Sequence, residues 1–321
     1  MQKTEGPAPA HLPADFLTRL ELILAPGDLE RVLTSFHKTP PVALRVNTLK
    51  CETPQARSTL QAAGFHLEPF EGISDAFLLT RGSLRDLEKT PLFEQGGLYV
   101  QGLSSMLPVL ALDPQPGESV LDMAAAPGSK TTQMAVKMQN AGTIVANELS
   151  RSRFFKLKAN LAWQGVRNTD TKLGPGEMLG RRYPEKFDRV LLDAPCSGEG
   201  RFHCQEPESF STWKASKLKG LASRQKSLFY AGFHALKPGG VMVYATCTYA
   251  PEENEGILDW AFEKFGDAMT LLPADFPFKN LRSGLAGWKG KPFDPRVQQG
   301  IRVLPDAFME GFFFAKILKK A

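Results

Sequence analysis

The chain has 321 residues, of which 42% are hydrophobic and 23% are charged, and its formal net charge is +5. This length allows one large domain together with a small one, and the composition is that of a globular protein rather than a disordered or fibrous one. The longest apolar runs, such as residues 312–315, are too short to cross a bilayer, and no secretory signal opens the sequence. We therefore expect no membrane association.

The first hundred residues predict a small module of helices and strands. Residues 1–35 have leucines spaced as in helices on either side of Pro26-Gly27. A helix begins at Thr53-Pro54 and ends at Gly64, because a cap residue with proline in the first turn opens helices and glycine closes them. The other elements predicted here are strands at 42–49, 65–67 and 76–80 and a helix at 103–112. We assign residues 1–105 to this α+β module.

From residue 118 strands alternate with helices, which is typical of a parallel sheet covered by helices on both faces. The strands are predicted at 119–123, 143–147, 168–172, 188–193 and 241–246, and the helices at 129–138, 150–163, 213–236 and 251–265. Lys237-Pro238-Gly239-Gly240 is expected to end the third of these helices. Two strand-like runs, 301–304 and 311–316, are close enough to pair antiparallel. Residues 106–321 are thus predicted to form an α/β, Rossmann-like domain with a mostly parallel sheet.

The loop after the first strand of this sheet has almost no side chains. It contains Ala124, Ala125, Ala126, Pro127, Gly128 and Ser129, and Lys130 follows. A ligand can approach such a backbone closely at the carboxyl end of a parallel strand, where the next helix presents free N–H groups. Glu148, after the second strand, can accept hydrogen bonds from both hydroxyls of a ribose. A tight turn that binds no ligand is the alternative.

Two nucleotide-binding motifs can be tested against this loop directly. Gly-x-Gly-x-x-Gly is absent, and Ala124 and Ser129 occupy the two glycine positions of the phosphate loop that precedes Lys-Thr. The sequence therefore predicts neither NAD nor ATP as the ligand.

Two cysteines follow other strands of the same sheet. Asp193 closes the fourth strand and precedes Cys196 in Asp-Ala-Pro-Cys-Ser-Gly-Glu-Gly, and Cys247 follows the fifth strand in Ala-Thr-Cys-Thr. Both thiols are expected at the sheet edge that carries the small-residue loop, although most free cysteines are simply small buried hydrophobic residues. Cys51 and Cys204 carry no such context, and His203 is a weak candidate for a base.

Thiols suit one particular chemistry. Addition of a thiolate to C6 of cytosine breaks the aromaticity of the ring and lets C5 take a methyl group from a sulfonium. A carboxylic acid near N3 can stabilise the adduct, and a second thiol can assist proton loss and release. The four cysteines make neither a disulfide framework nor a Cys-x-x-Cys pair, so we predict no metal site and a reducing, cytoplasmic location.

Several motifs closely resemble the Nol/Nop/Sun family of RNA cytosine-C5 methyltransferases, and in particular its RsmF-like branch that modifies small-subunit ribosomal RNA. The motifs are residues 44–48, 99–101, 104–108, 124–133, 193–200, 244–248, 252–255 and 311–313. The paired Pro-Cys and Thr-Cys motifs are the most specific of them. The resemblance implies a class I methyltransferase fold, S-adenosyl-L-methionine as cofactor, and RNA as partner, with ribosomal RNA favoured over transfer RNA and residues 1–105 assisting RNA binding.

The resemblance also implies a role for each site residue. Cys247 is the nucleophile and Cys196 assists release, a choice that spacing alone does not make, because DNA cytosine methyltransferases attack with the Pro-Cys cysteine. Asp193 holds the base and contacts the cofactor. The remaining cofactor contacts map onto residues 124–130 and Glu148.

This sequence departs from the family pattern in two places. An acid usually follows the third strand and contacts the adenine amino group, but Pro175-Gly176 stand there, so this contact is either missing or supplied by Glu177 or a backbone group. We expect weaker or differently organised cofactor binding. The sequence ends soon after the last strand, whereas RsmF-like relatives often carry further C-terminal RNA-binding domains.

Substrate choice is accordingly expected to depend on the first hundred residues and on Lys and Arg residues between 151 and 226, which fit phosphate contacts or solvated helix faces equally well. The alternative functions are a transfer RNA cytosine-C5 methyltransferase and an RNA-binding ribosome-assembly factor without catalysis; a DNA methyltransferase fits less well. We expect a monomer.

Overall fold

The computed structural model describes residues 11–321, so the first ten residues of the predicted N-terminal helical segment lie outside the described range. Two helices begin the described chain, α1 (Ala14–Ile23) and α2 (Pro26–Ser35). Phe16 of α1 packs on the rings of Phe202 and Tyr249, at centroid distances of 4.8 and 6.5 Å. The first helices therefore pack against loops of the second half of the chain.

A four-stranded antiparallel sheet follows these two helices, in the order β2-β3-β1-β4. The elements of this part are β1 (Ala43–Val46), α3 (Thr53–Ala62), β2 (His66–Pro69), β3 (Ala76–Arg81), α4 (Leu84–Leu87), α5 (Pro91–Glu94), β4 (Leu98–Val100) and α6 (Leu103–Leu112). The predicted strand at 42–49 is shorter in the structure because Asn47 leaves it. The Asn47 side-chain amide donates to Gly96 O and Gln164 O, both at 2.8 Å.

The remaining elements alternate strand and helix before ending in strands. They are β5 (Ser119–Asp122), α7 (Ser129–Lys137), β6 (Thr143–Glu148), α8 (Arg151–Trp163), β7 (Thr169–Leu173), α9 (Leu179–Arg182), β8 (Phe187–Asp193), α10 (Leu218–Ala235), β9 (Leu236–Thr246), α11 (Glu255–Phe265), β10 (Met269–Leu272), β11 (Leu281–Ser283), β12 (Gly287–Trp288), β13 (Lys291–Pro292), β14 (Ile301–Val303) and β15 (Phe312–Lys319). Within the described residues, nine of these strands form one sheet in the order β11-β14-β15-β9-β8-β5-β6-β7, with β10 also paired to β15.

The strands from β9 to β7 are parallel, and β15 runs antiparallel to β9. β14 pairs antiparallel with β15, as the sequence predicted for the terminal strands. Helices α6 and α7 cover one face, and α9, α10 and α11 cover the other. The predicted α/β fold with a mostly parallel, Rossmann-like sheet is confirmed. The proposed boundary at residue 105 falls inside α6 and stays a prediction.

Three further predicted element boundaries differ from the structure. Residues 237–240 lie in β9 as a bulge, since Phe187 pairs with Leu236 while Arg189 pairs with Val241. Helix α10 begins at Leu218 rather than 213, after a 3₁₀ turn. Helix α11 begins at Glu255 rather than 251, because Asn254 has non-helical backbone angles (φ −112°, ψ −97°). No helix among residues 11–321 is long and apolar enough to span a membrane.

Candidate active site

The small-residue loop connects β5 to α7 at the point where strand order reverses, with β6 on one side of β5 and β8 on the other. Ligands of open parallel sheets bind at such points. Ala125 and Ala126 are buried against Leu157 of α8, which explains why the loop carries small side chains. Gly128 has φ +113°, and a Cβ there would lie 3.2 Å from a Leu157 methyl carbon. The compact loop thus results from close packing of α8.

A cleft of about 170 Å³ opens beside this loop, and both Ala124 and Glu148 line it. One carboxylate oxygen of Glu148, Oε1, accepts a hydrogen bond from Ser150 N at 2.8 Å. The other, Oε2, is buried without a hydrogen-bond partner, and the nearest cationic nitrogen, Arg153 Nη1, lies 3.6 Å away. A buried acceptor without a partner costs about 1–3 kcal/mol. This oxygen is therefore suited to a ligand hydroxyl, and the cleft fits the ribose of a nucleoside cofactor.

Gly176 lines the cleft where the family pattern has an acid. A Cβ at this position would lie 2.7 Å from Leu228 Cδ2, so a side chain does not fit without rearrangement. Glu177 is not part of the cleft lining, and its carboxylate pairs with Arg224 Nε at 3.3 Å. The sequence left two candidates for the adenine contact, Glu177 and a backbone group. In the structure the backbone at Gly176 lines the cleft, and the Glu177 carboxylate does not.

The two cysteines singled out from the sequence lie together, with their Sγ atoms 3.4 Å apart. Strands β8 and β9 bring them there, because they are parallel neighbours in which Asp193 is in register with Ala245. The loops that carry the thiols are also joined by a hydrogen bond of 2.7 Å between the hydroxyls of Ser197 and Thr248. Both thiols are half-buried.

The surroundings of the two sulfurs differ in charge. The hydrogen bond between the thiols lowers the pKa of Cys247, and the positive charges of Arg201 and Lys130 lower it further, against the opposing effect of burial. The same hydrogen bond raises the pKa of Cys196 well above its usual range, and burial and the charge of Glu253 add to this. When the pair carries one negative charge, these effects therefore favour the charge on Cys247, with the Cys196 S–H as donor, and the thiolate is the nucleophilic form of a cysteine.

Lys130 joins the loop to the thiol site. Its buried ammonium donates to Asp193 Oδ2 and to Ser105 Oγ, both at 2.7 Å, and lies 5.5 Å from the centre of the Phe312 ring. The negative charge of Asp193 acts on Cys247 and opposes its ionisation. Asp193 thus lies within electrostatic reach of the Cys247 sulfur, with its charge balanced by Lys130.

Residues of the small sheet also support the loop. Arg45 is buried, and its Nη2 atom donates to Ser129 O at 2.9 Å and to Thr132 Oγ1 at 2.6 Å, while Nε donates to Gln101 Oε1 at 2.7 Å. Burial lowers the pKa of Arg45 to about 10, which leaves the guanidinium charged at neutral pH. Arg45, in strand β1 of the small sheet, therefore holds the first turn of α7 in place.

Three buried acidic residues of the site could not be recognised from the alternation of strands and helices in the sequence. Burial raises the pKa of Asp122, at the end of β5, to about 7, and raises that of Glu253 to about 7. Glu199, whose pKa burial also raises, accepts hydrogen bonds from Thr248 Oγ1 at 2.9 Å and from Trp213 Nε1 at 3.0 Å. For Glu199 and Glu253, the signal available in the sequence was their place in the family motifs.

The other thiols and His203 have hydrogen-bond partners other than this pair. His203 Nε2 is 3.4 Å from Thr39 Oγ1. The Cys204 Sγ atom lies 3.7 Å from His37 Nε2, and the Cys51 thiol donates to backbone carbonyls of Asn47 and Gly97 and packs against the core of the small sheet. Among residues 11–321, no group of three or more His, Cys, Asp or Glu residues is arranged to hold a metal ion.

Comparison with known proteins supports the motifs. The model of the family "16S rRNA methyltransferase RsmB/F" matches residues 109–318, and that of the N-terminal domain of 16S rRNA methyltransferase RsmF matches residues 12–102. Ribosomal RNA small subunit methyltransferase F of Vibrio campbellii is 39% identical over 96% of this chain and 63% of its own length, and that of Pectobacterium carotovorum is 37% identical over 98% and 64%. The chain therefore spans less than two thirds of the length of these relatives.

One solved structure matches nearly the full length of this chain and the full length of its own. The methyltransferase homologue from Pyrococcus horikoshii is 33% identical, with a TM-score of 0.78 over 97% of this chain and 100% of its own. These matches confirm the resemblance drawn from the sequence motifs: the chain belongs to the RsmB/F family of 16S rRNA methyltransferases.

Proposed function

We propose that this chain is an S-adenosylmethionine-dependent RNA cytosine-C5 methyltransferase that acts on small-subunit ribosomal RNA. The observation that carries the proposal is the pair of sulfur atoms 3.4 Å apart, one of them favoured as a thiolate. The choice of ribosomal RNA rests on the names of the relatives, of which this chain spans only part.

Family membership indicates S-adenosylmethionine as the methyl donor, and when bound it supplies an electrophilic methyl group. Glu148 Oε2, buried and without a hydrogen-bond partner, would accept a ribose hydroxyl. Ala124 and the backbone at Gly176 leave room for the nucleoside in the cleft. The rest of the 124–130 segment would close over the methionine part, with Lys130 holding Asp193 beside it.

Covalent activation of the base is assigned to Cys247. Its thiolate forms a bond to C6 of cytosine, and the electron pair of the C5–C6 double bond becomes available at C5 for methylation. Asp193, held by Lys130 at 2.7 Å, would accept a hydrogen bond from the exocyclic amino group of cytosine and hold the base beside Cys247. These steps require the ring outside its stack, so the substrate is a loop or an opened helix.

Release of the product is assigned to Cys196. After methylation the C5 proton passes to solvent water, its electron pair re-forms the C5–C6 double bond, and the bond between Cys247 and C6 breaks to give a thiolate on Cys247. The Cys196 S–H, 3.4 Å from the departing sulfur, stabilises the thiolate that leaves. This division of roles agrees with the opposite directions of the two pKa shifts.

The protein has an exposed basic surface that is available to bind the phosphate backbone of the RNA. Several cations of α8 and the turn after it are exposed, namely Arg151, Lys156, Lys158 and Arg167. Lysine and arginine contacts to phosphates weaken steeply as salt rises. We therefore assign part of the RNA affinity to this surface.

Labelled methyl transfer to unmodified 30S subunits, naked 16S RNA and bulk transfer RNA, with bisulfite mapping of the product, tests the function. We expect one protected cytosine in ribosomal RNA, and none with Cys247→Ala. A product found in transfer RNA alone would show that transfer RNA, and not ribosomal RNA, is the substrate. No product in any RNA, together with no S-adenosylmethionine binding by calorimetry, would favour the non-catalytic assembly factor.

A further inference from the structure

A buried carboxyl group lies directly behind Cys196. The side chain of Glu253 is fully buried, and its Oε2 accepts hydrogen bonds from Ser197 N at 3.0 Å and from Gln225 Nε2 at 2.8 Å. The same Gln225 nitrogen donates to Pro195 O at 2.9 Å. Glu253 and Gln225 thus hold the peptide groups on both sides of Cys196.

We propose that Glu253 is a positioning residue that keeps Cys196 in its protonated form and thereby leaves the thiolate on Cys247. The inference deepens the proposed function, on which its catalytic meaning rests, because it explains which of two adjacent thiols can act as nucleophile. The sequence spacing of the cysteines could not make this choice.

The electrostatic argument follows from the proximity of the thiols. Two sulfurs 3.4 Å apart do not readily carry two negative charges, so a single proton lies between them in the singly ionised pair. Asp193 opposes negative charge on Cys247 while Arg201 and Lys130 favour it, and Glu253 disfavours negative charge on Cys196. A negative charge on Glu253 therefore moves the shared proton toward Cys196.

The other groups that face Glu253 do not neutralise this effect. Its hydrogen-bond donors Ser197 and Gln225 are uncharged, and Glu199 adds negative charge. The Tyr244 hydroxyl donates to the backbone carbonyl of Glu253 at 2.5 Å and stays protonated, since burial raises its pKa well above the usual value. The second carboxylate oxygen, Oε1, is buried without a hydrogen-bond partner.

These surroundings predict a specific pH dependence. Burial raises the pKa of Glu253 to about 7, against the hydrogen bonds from Ser197 and Gln225 that lower it. The carboxyl group therefore becomes charged as pH rises through about 7. The preference for a thiolate on Cys247 over Cys196 should increase across the same range.

Alkylation of the free protein by iodoacetamide between pH 6 and pH 8, with peptide mapping by mass spectrometry, measures this preference without RNA or cofactor. In the wild type we expect faster labelling of Cys247 than of Cys196, with a ratio that rises with pH. Glu253→Gln keeps an oxygen for both donors but removes the charge. It should lower the ratio about tenfold at pH 8 and abolish its rise, as expected for one charge at short range.

Glu252→Gln is the matched control. This neighbouring carboxylate pairs with Arg19 at 2.6 Å and accepts from Trp288 Nε1 at 3.0 Å, so it faces away from the thiols. It should leave the labelling ratio unchanged. An unchanged ratio in a folded Glu253→Gln protein would overturn the inference, and so would a wild-type ratio that is flat with pH, even if the variant fails to fold. Either result would leave methyl transfer to RNA, and hence the proposed function, as a separate question.

Discussion

The two halves of the site lie on one sheet edge but are built in different ways. The cofactor side, at the ends of β5 and β6, consists of backbone and small side chains, with one carboxylate oxygen of Glu148 left without a hydrogen-bond partner. The thiol side, at the ends of β8 and β9, is densely hydrogen-bonded through buried side chains such as Glu199 and Glu253. The first half is open for a ligand to complete, whereas the second is fixed before any substrate arrives.

The largest effects are expected from the thiols themselves. Cys247→Ala should lower methyl transfer by about 10³-fold or more, because it removes the nucleophile. Cys196→Ala should instead accumulate a protein–RNA species that survives denaturation, since the bond to C6 forms but breaks slowly. Denaturing gels with labelled RNA distinguish the two, and the opposite pattern would exchange the roles of the cysteines.

A moderate effect is expected on the cofactor side alone. Glu148→Gln replaces the charged acceptor in the cleft and should weaken S-adenosylmethionine binding by about 10- to 100-fold, the value of a hydrogen bond to a charged group. Titration calorimetry measures this, while the alkylation pattern of the two thiols should not change. Glu185→Gln, whose parent carboxylate pairs with Lys319 and does not line the cleft, serves as control, and equal losses in the two variants would contradict the assignment.

Loss of a buried hydrogen bond tests how far the thiol side is preassembled. Thr248→Val keeps the shape of the side chain but removes the donor to Glu199 Oε2 at 2.9 Å and the bond to Ser197 Oγ. The free energy of unfolding should fall by about 1–3 kcal/mol, measured by denaturant titration. Thr34→Val, at an exposed helix position, should change it much less. A neutral Thr248→Val would show that this network contributes little.

The last effect concerns the pH dependence of stability rather than the site. Burial raises the pKa of Asp122 to about 7, above the value of 3.8 for a free side chain, so the folded state binds the proton more tightly than the unfolded state. Stability from this group is therefore present below pH 4 and is lost as pH rises toward 7. Asp122→Asn should lose less stability than the wild type between pH 4 and pH 7, in thermal melts at matched salt. If the melting temperatures of the two proteins change in parallel with pH, the raised pKa of Asp122 is rejected.

The sequence predicted what depends on local pattern. Alternating strands and helices indicated the parallel sheet, and the rule that carboxyl ends share one edge brought Cys196 and Cys247 together. The bulge at residues 237–240 and strand β10 were missed because they depend on pairing with distant partners, β8 and β15. Glu253 and Gln225 were missed as partners for the same reason, since their contact joins residues 28 positions apart across two elements.

The packing of α1 has a consequence for how the protein folds. Arg19 and Glu252, which pair at 2.6 Å, are 233 residues apart in the chain. Contacts of such sequence separation close large loops and form late compared with local ones. Since Glu252 adjoins Glu253 and α1 packs on the loop after Cys196, we expect the thiol pair to gain its final surroundings late in folding. Intermediates would then expose two reactive thiols before their reactivities have been differentiated.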